Sequence, residues 1–163
     1  MRAYWRARGL PNMDNTNRFH TNETWLWVRA EQCLLLLVLI VCLALHIDDV
    51  AWGRFLFALL IIDLGGYLPG AIAYHRSGGG PLPPIYHHLY NVMHSYITTG
   101  AAVGLWALVG GGLEWAMLAV PIHLAGDRGI FGNTYKPTSL PFEPEAGAPP
   151  TQSPRAAVGE ESH

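Results

Sequence analysis

The stretch Gln32-Cys-Leu-Leu-Leu-Leu-Val-Leu-Ile-Val-Cys-Leu-Ala-Leu-His-Ile47 contains no Asp, Glu, Lys or Arg, and Leu, Ile, Val and Ala fill nearly all of it. A helix that is apolar all round is solvated by hydrocarbon or by a large core, not by water. Crossing the hydrocarbon core takes about 20 residues, within a range of about 17 to 25. Extended back to Val28, the run meets that length, so residues 28–47 read as a first membrane span.

Three further stretches qualify, roughly Val50 to Tyr74, Ile85 to Val109 and Leu113 to Phe131. The third of the four spans lies inside a second charge-free block, Ser77 to Leu113. Backbone polar groups in lipid have to be satisfied within their own segment, which makes helix the expected state of all four. The expected fold class is therefore all-α: an integral membrane four-helix bundle occupying residues 25–136.

Composition agrees with that reading. Over 163 residues, 50% are hydrophobic and 13% charged, against about 25% charged in soluble chains. The 12 acidic and 10 basic residues leave a net charge of −2. No basic excess exists to engage phosphates, so nucleic acid is not an expected partner. The two cysteines, Cys33 and Cys42, both lie in the first apolar run. Nine residues apart on one helix, they exclude a disulfide framework and read as small apolar side chains.

Residues 1–24 form a polar, basic N-terminal tail, too long ahead of the apolar run for a signal peptide. Trp25 and Trp27 then mark the membrane interface. With both termini inside, Arg2, Arg6, Arg8, Arg18, Arg29, Arg76, Arg128, Lys136 and Arg155 lie on the cytoplasmic side, and Arg54 alone lies outside. That asymmetry predicts a multi-pass inner-membrane protein with cytoplasmic N and C termini. A composition rich in Ala, Gly, Pro and Arg, with a single Lys, suggests a bacterial source of high GC content. From Pro137 onward the chain holds six of its twelve prolines and four glutamates. Residues 137–163 are accordingly expected to be a disordered cytoplasmic tail. Gly66-x-x-x-Gly70 and Gly100-x-x-x-Gly104 have the spacing of close helix contacts.

An ionisable side chain at membrane depth costs about 2.5 to 3.5 kcal/mol, so each one calls for a partner. Asp63, His94, His123 and Asp127 are such residues. Asp63, Tyr67, Gly70 and Tyr74 share one face of the second span, and His87, Asn91, His94 and Thr98 share one face of the third. His123 and Asp127 are one turn apart on the fourth. At about 1.5 Å per residue, His94 and His123 reach similar depths from the cytoplasmic side. Three polar stripes are thus expected to converge on a cavity open to the cytoplasm, with Pro121 bending the fourth helix beside it.

Two His and two Asp make an oxygen and nitrogen ligand set suited to zinc, iron or manganese, and such a metal with an open position activates water near neutral pH. The candidate catalytic and metal-ligating residues are therefore His123, Asp127, Asp63 and His94. Tyr67, Tyr74, Asn91 and Thr98 are the candidate substrate contacts. No compact signature such as H-E-x-x-H accompanies them. Two other readings stand beside the metal: Asp127 orienting His123 as a general base, and a polar network that only fixes packing, with Asp127 paired to Arg128 or Arg76. His75, His87 and His88 at the inner surface read as ordinary solvated residues, and His20, His46 and His163 carry no expected role.

Three blocks between Ile61 and Pro137 resemble a family of small bacterial four-span integral membrane proteins known only as a domain of unknown function. They are Asp63 with Gly66-Tyr67 and Pro69-Gly70, then Tyr90-Asn91 with His94-Ser95, then His123-x-x-x-Asp127-Arg128-x-x-x-Gly132 with Tyr135-Lys136-Pro137. The resemblance implies four spans with these polar motifs in the membrane, and no activity. A looser likeness is to membrane-embedded metal hydrolases, a matter of analogy. The expected function is a membrane enzyme acting on a lipid-like or apolar small molecule by water activation or proton transfer, either a metal-dependent hydrolase or an acid–base isomerase or cyclase. The competing class is a non-enzymatic carrier subunit or packing module. Its partners are the lipid bilayer and, where copies associate, a second copy of the chain.

Overall fold

The computed structural model describes residues 22–143, of which Leu26–Glu143 form one compact unit. Among the described residues every regular element is helical. Helix α1 (Asn22–Leu45) is followed by a short 3-10 turn (Ile47–Asp49), α2 (Trp52–Gly66) and α3 (Leu68–Arg76). Then come α4 (Pro84–Met93), α5 (Tyr96–Gly110), a 3-10 turn (Trp115–Leu118), α6 (Ala119–Gly126) and a π turn (Asp127–Phe131). The expected tails 1–21 and 144–163 lie outside the described residues.

Two runs, Glu23–Leu45 and Trp52–Arg76, are long and apolar enough to cross a membrane, and α4 with α5 makes a third if that bent pair is one span. The sequence treats residues 85–109 as a single helix; the structure breaks it at His94-Ser95 with a 53° bend. Ser95 is the cause and the remedy, since its hydroxyl accepts the Ile97 N–H and caps α5. The stretch 113–131, expected as the fourth span, is no continuous α-helix. It is a 3-10 turn, an eight-residue α-helix and a π turn in succession. Pro121 sits in the first turn of α6, where its missing N–H is one of those that lack a partner within the helix.

Glycine ends two of the elements. Gly111, with φ of 83°, closes α5, and Gly132, with φ of 74°, closes the π turn. Both take the left-handed conformation that side chains resist.

Packing has three levels. At one end, Val50, Phe55, Ala58, Ala116 and Ala119 form a buried apolar cluster with Leu59, Trp106 and Trp115 against it. Beyond it, Arg54 pairs with Glu114 at 2.8 Å. At the other end, Ala71, Tyr90 and Phe142 form a second cluster, joined by Tyr74, Leu82 and Tyr86. Between them lie the ionisable groups. Helix α1 touches the rest where Arg29 donates to the Gly129 and Ile130 carbonyls at 3.1 and 2.8 Å, and where Tyr96 donates to Gln32 at 2.7 Å. Gly129 makes this approach feasible: a Cβ there would stand 2.9 Å from Cys33 N and Sγ. Cys33 and Cys42 are both free thiols.

The segment after the π turn corrects the expectation of disorder from Pro137. Residues 132–143 form a strap folded back onto Tyr67, α3 and α4. Asn91 grips it twice, its amide donating to the Lys136 carbonyl at 3.0 Å and its oxygen accepting the Lys136 N–H at 2.7 Å. His87 Nε2 donates to the Leu140 carbonyl at 3.1 Å. Phe142 is fully buried against Gly70, where any Cβ would collide with its ring. The apolar surface that six prolines concealed is this one phenylalanine.

Candidate functional site

The break between α4 and α5 places His94 at a free helix end inside the apolar layer. Its Nδ1 lies 2.9 Å from the Tyr90 carbonyl, and its ring stacks on Tyr90 with centroids 3.9 Å apart. A carbonyl only accepts, so Nδ1 carries a proton and Nε2 is the nitrogen turned to the neighbouring helices. The freed carbonyl of His94 accepts from Arg128 at 3.0 Å. Arg128 in turn lies over the Tyr96 ring at 4.2 Å and the Tyr135 ring at 5.4 Å.

Four groups meet at that nitrogen. His94 Nε2 is 3.3 Å from Asp63 Oδ1 and 3.4 Å from Asp127 Oδ2. His123 Nε2 is 3.6 Å from the same two oxygens. Asp63, on α2, thus faces His123, on α6, and the ligand atoms of Asp63, His94 and His123 all lie within 4.8 Å of one another. Asp127 belongs to the cluster through the π turn, whose wider winding begins at that residue.

Burial is uneven. The side chains of His94, His123 and Asp127 are 5%, 10% and 18% exposed, whereas that of Asp63 is 51% exposed. Among the described residues His123 Nε2 is buried with no partner at hydrogen-bond distance, an orphan that needs a reason. Every neighbour of the two Nε2 atoms in this cluster is a carboxylate, which only accepts. A neutral imidazole with its proton on Nδ1 would point a lone pair at two carboxylates.

Of the remaining sequence candidates, none of the four candidate substrate contacts joins the cluster. Asn91 is spent on the strap, and Tyr67 donates to Glu143 and lies beside Phe142. Tyr74 packs against the Ala71, Tyr90 and Phe142 cluster. Thr98 is carried off the stripe by the break and donates to the Val92 and Ser95 carbonyls. Asp127 pairs with the two histidines rather than with Arg128 or Arg76 among the described residues. His87, read as solvated, is buried beneath Phe142. Gly66 does make its close approach, to Met93 and His94, while Gly100 and Gly104 face open space. Tyr90, Arg128 and Lys136 enter the sequence reading as members of the blocks that carry the resemblance, with no ligand or substrate role in the site, and Phe142 does not enter it.

Lys136 lies at the foot of the site, its Nζ donating to the Phe142 carbonyl at 2.6 Å and lying 4.9 Å from the Tyr90 ring centre. Burial holds its ammonium below the ordinary lysine value.

Compared with known proteins, the chain matches no sequence-family model, no curated protein and no solved structure.

Proposed function

We propose that this chain is a multi-pass membrane enzyme whose Asp63, His94, His123 and Asp127 hold one divalent metal ion of the zinc or iron class. The observation that carries the proposal is the set of His–Asp separations, 3.3, 3.4, 3.6 and 3.6 Å. Ligands about 2.0–2.1 Å from a tetrahedral metal are separated from each other by about 3.3–3.4 Å. These separations lie close to that length, and the ligand atoms of Asp63, His94 and His123 come within 4.8 Å of one another, with Asp127 approaching both histidines from beside that group.

Charge supports the same reading. Two carboxylates in a low-dielectric layer need two positive charges to offset them. Protons alone would supply these as two imidazoliums whose ring centres are 5.6 Å apart. One divalent ion does it with both rings neutral, and the Tyr90 carbonyl on His94 Nδ1 is the kind of outer partner that metal-bound histidines use. When bound, such an ion supplies Lewis acidity and activates water for hydrolysis or proton transfer. The protein's part is to fix the ligands, to exclude bulk water with the apolar layers on either side, and to leave Asp63 as the accessible ligand.

The setting we propose is four spans in a bacterial inner membrane, with both termini cytoplasmic, as the distribution of basic residues favours. The substrate is an apolar or lipid-like small molecule. Membership of the small bacterial membrane family that the Asp63, His94 and His123-to-Arg128 blocks resemble is part of the same proposal.

Metal analysis of detergent-purified protein tests it. One zinc or iron per chain, lost in His94→Ala, is the expected result. Metal-free protein that does not take up added Zn2+ or Fe2+ while keeping its native fold overturns it in favour of a packing network.

A further inference from the structure

The ionisable cluster is closed above and below and open at one side. Toward the Val50 end it is covered by the apolar packing of Phe55, Ala58, Ala116 and Ala119. Toward the strap it is covered by Tyr90, stacked on His94, with Phe142 and Lys136 beyond. What stays open is Asp63, whose side chain is 51% exposed although it sits near the middle of the Trp52–Arg76 run. At 1.5 Å per residue that is about 17 Å from Trp52 and about 20 Å from Arg76. The exposed residues on its side of the helix are Leu56, Leu60 and Tyr67, 51%, 54% and 37% exposed. Gly126, the residue before Asp127 on α6, has nothing within 4 Å of where a Cβ would stand. Where the Trp52–Arg76 run crosses a membrane, an exposed carboxylate flanked by exposed leucines near its middle lies at the depth of the hydrocarbon layer.

We infer that the substrate reaches this site sideways from the hydrocarbon layer, past Leu56 and Leu60 on the Asp63 face of α2, and not from the cytoplasmic end. This rests on the metal reading above and narrows its substrate. A phosphate or other ionic headgroup is anchored at the interface, well over 10 Å away, and bringing it to mid-membrane carries the same penalty as an ionised side chain there. The chemical class left is a largely hydrocarbon molecule with one uncharged, weakly polar function such as an ester, ketone, epoxide or alcohol. That function can meet the metal at Asp63 while the rest stays in lipid. Such a route also explains why the cytoplasmic end can be sealed by Phe142 without isolating the site.

The test uses cobalt as a coloured stand-in for the native ion and hydroxamates as metal-binding probes. Full-length protein in phosphatidylcholine vesicles is loaded with Co2+, and decanohydroxamate or acetohydroxamate is added while the visible cobalt spectrum is recorded. Decanohydroxamate shifts the spectrum and acetohydroxamate at the same concentration does not. Leu60→Trp, which narrows the opening but still binds one Co2+, weakens the decanohydroxamate response by about tenfold or more. Leu56→Trp serves the same purpose if the first variant fails to fold. Phe142→Ala, which unseals the cytoplasmic end, leaves the decanohydroxamate response unchanged.

Lateral entry is overturned if acetohydroxamate works equally well, or if neither tryptophan variant that binds Co2+ blunts the response. It is also overturned if Co2+-loaded protein answers neither probe, as it would with a second copy covering the Asp63 face. Failure to bind Co2+ at all is a different result. It removes the metal reading, and the lateral route with it.

Discussion

The ring of Phe142 occupies the space that the missing side chain of Gly70 leaves on α3. The two are 72 positions apart, and neither has a reason to be what it is without the other. Gly70→Ala should expel Phe142 and unseat the strap, at a cost of about 1–3 kcal/mol for overpacking a tight contact. Thermal unfolding in detergent, read by near-UV dichroism of Tyr135 and of the tyrosines packed against Phe142, would register it. Gly100→Ala and Gly104→Ala, whose sites face open space, should leave the midpoint unchanged or slightly raised. Equal effects at all three positions would contradict this assignment.

Asn91 makes both of the backbone contacts that fix the start of the strap. Asn91→Ala leaves the Lys136 N–H and carbonyl without those partners, at about 1–3 kcal/mol. Because the strap is a local element, the expected readout is proteolysis within residues 132–143 at temperatures where the helices remain intact. A variant that resists cleavage as well as wild type would show that Phe142 alone holds the strap.

The lysine beneath the site gives the strap a pH dependence with a definite sign. Burial depresses the docked Lys136 below its ordinary value of 10.5. Between that lowered value and 10.5, the released strap binds more protons than the docked one, so docking strengthens as pH rises through this alkaline window. Protection of residues 132–143 from protease should therefore increase on moving up from neutral pH, measured below the range in which tyrosines ionise. Lys136→Met should flatten the profile. A decrease with pH in wild type would mean that the charged ammonium, through its contacts with Tyr67, Tyr90 and Phe142, is the favoured docked form.

Helicity and the identity of the buried ionisable groups were legible because both depend on local facts: apolar run length, and Asp or His where lipid should be. The spacing of His123 and Asp127 correctly places them on one side of the segment, although that segment is shorter and more irregular than a full span. The break at His94-Ser95 was hidden because the block is free of charge and of proline there and its polar residues keep helical spacing, so only Ser95 signals a new helix start. The strap was hidden for a different reason. Composition averages over a segment, and Pro137–Glu143 docks through one aromatic ring and a few backbone groups rather than through mean hydropathy.

Gly129 tests how α1 is attached. Its Cβ would meet Cys33 backbone at 2.9 Å, and the same turn supplies the carbonyls that Arg29 engages. Gly129→Ala should move α1 outward and weaken those bonds, whereas Cys33→Ala should be nearly silent because backbone as well as sulfur sets the approach. Solvent accessibility of Cys33 to a thiol reagent reports the displacement, with faster labelling expected in Gly129→Ala. Unchanged labelling would place the slack elsewhere.

The metal reading and the packing reading both predict that His123→Ala and Asp127→Ala do harm, so the kind of harm has to decide. In the packing reading, each variant leaves a charged or polar group unpaired at depth, expression and melting temperature fall, and no ion is involved. In the metal reading, affinity for the ion falls steeply while the apolar layers on either side still hold the helices. His123→Ala and Asp127→Ala should then fold, lose stoichiometric zinc or iron, and lose the stabilisation that added Zn2+ gives wild type, which at 100 times its Kd amounts to about 2.7 kcal/mol. Asp127→Glu, which preserves a ligand in a turn of altered reach, should recover part of the metal binding but not a packing role that depends on shape. His46→Ala, stacked on Trp115 at the far end, should keep full metal occupancy. If His123→Ala and Asp127→Ala retain the ion, the ligands are not these side chains; if wild type never gains stability from Zn2+ or Fe2+, the four groups are a proton-shared network and the metal is absent from its function.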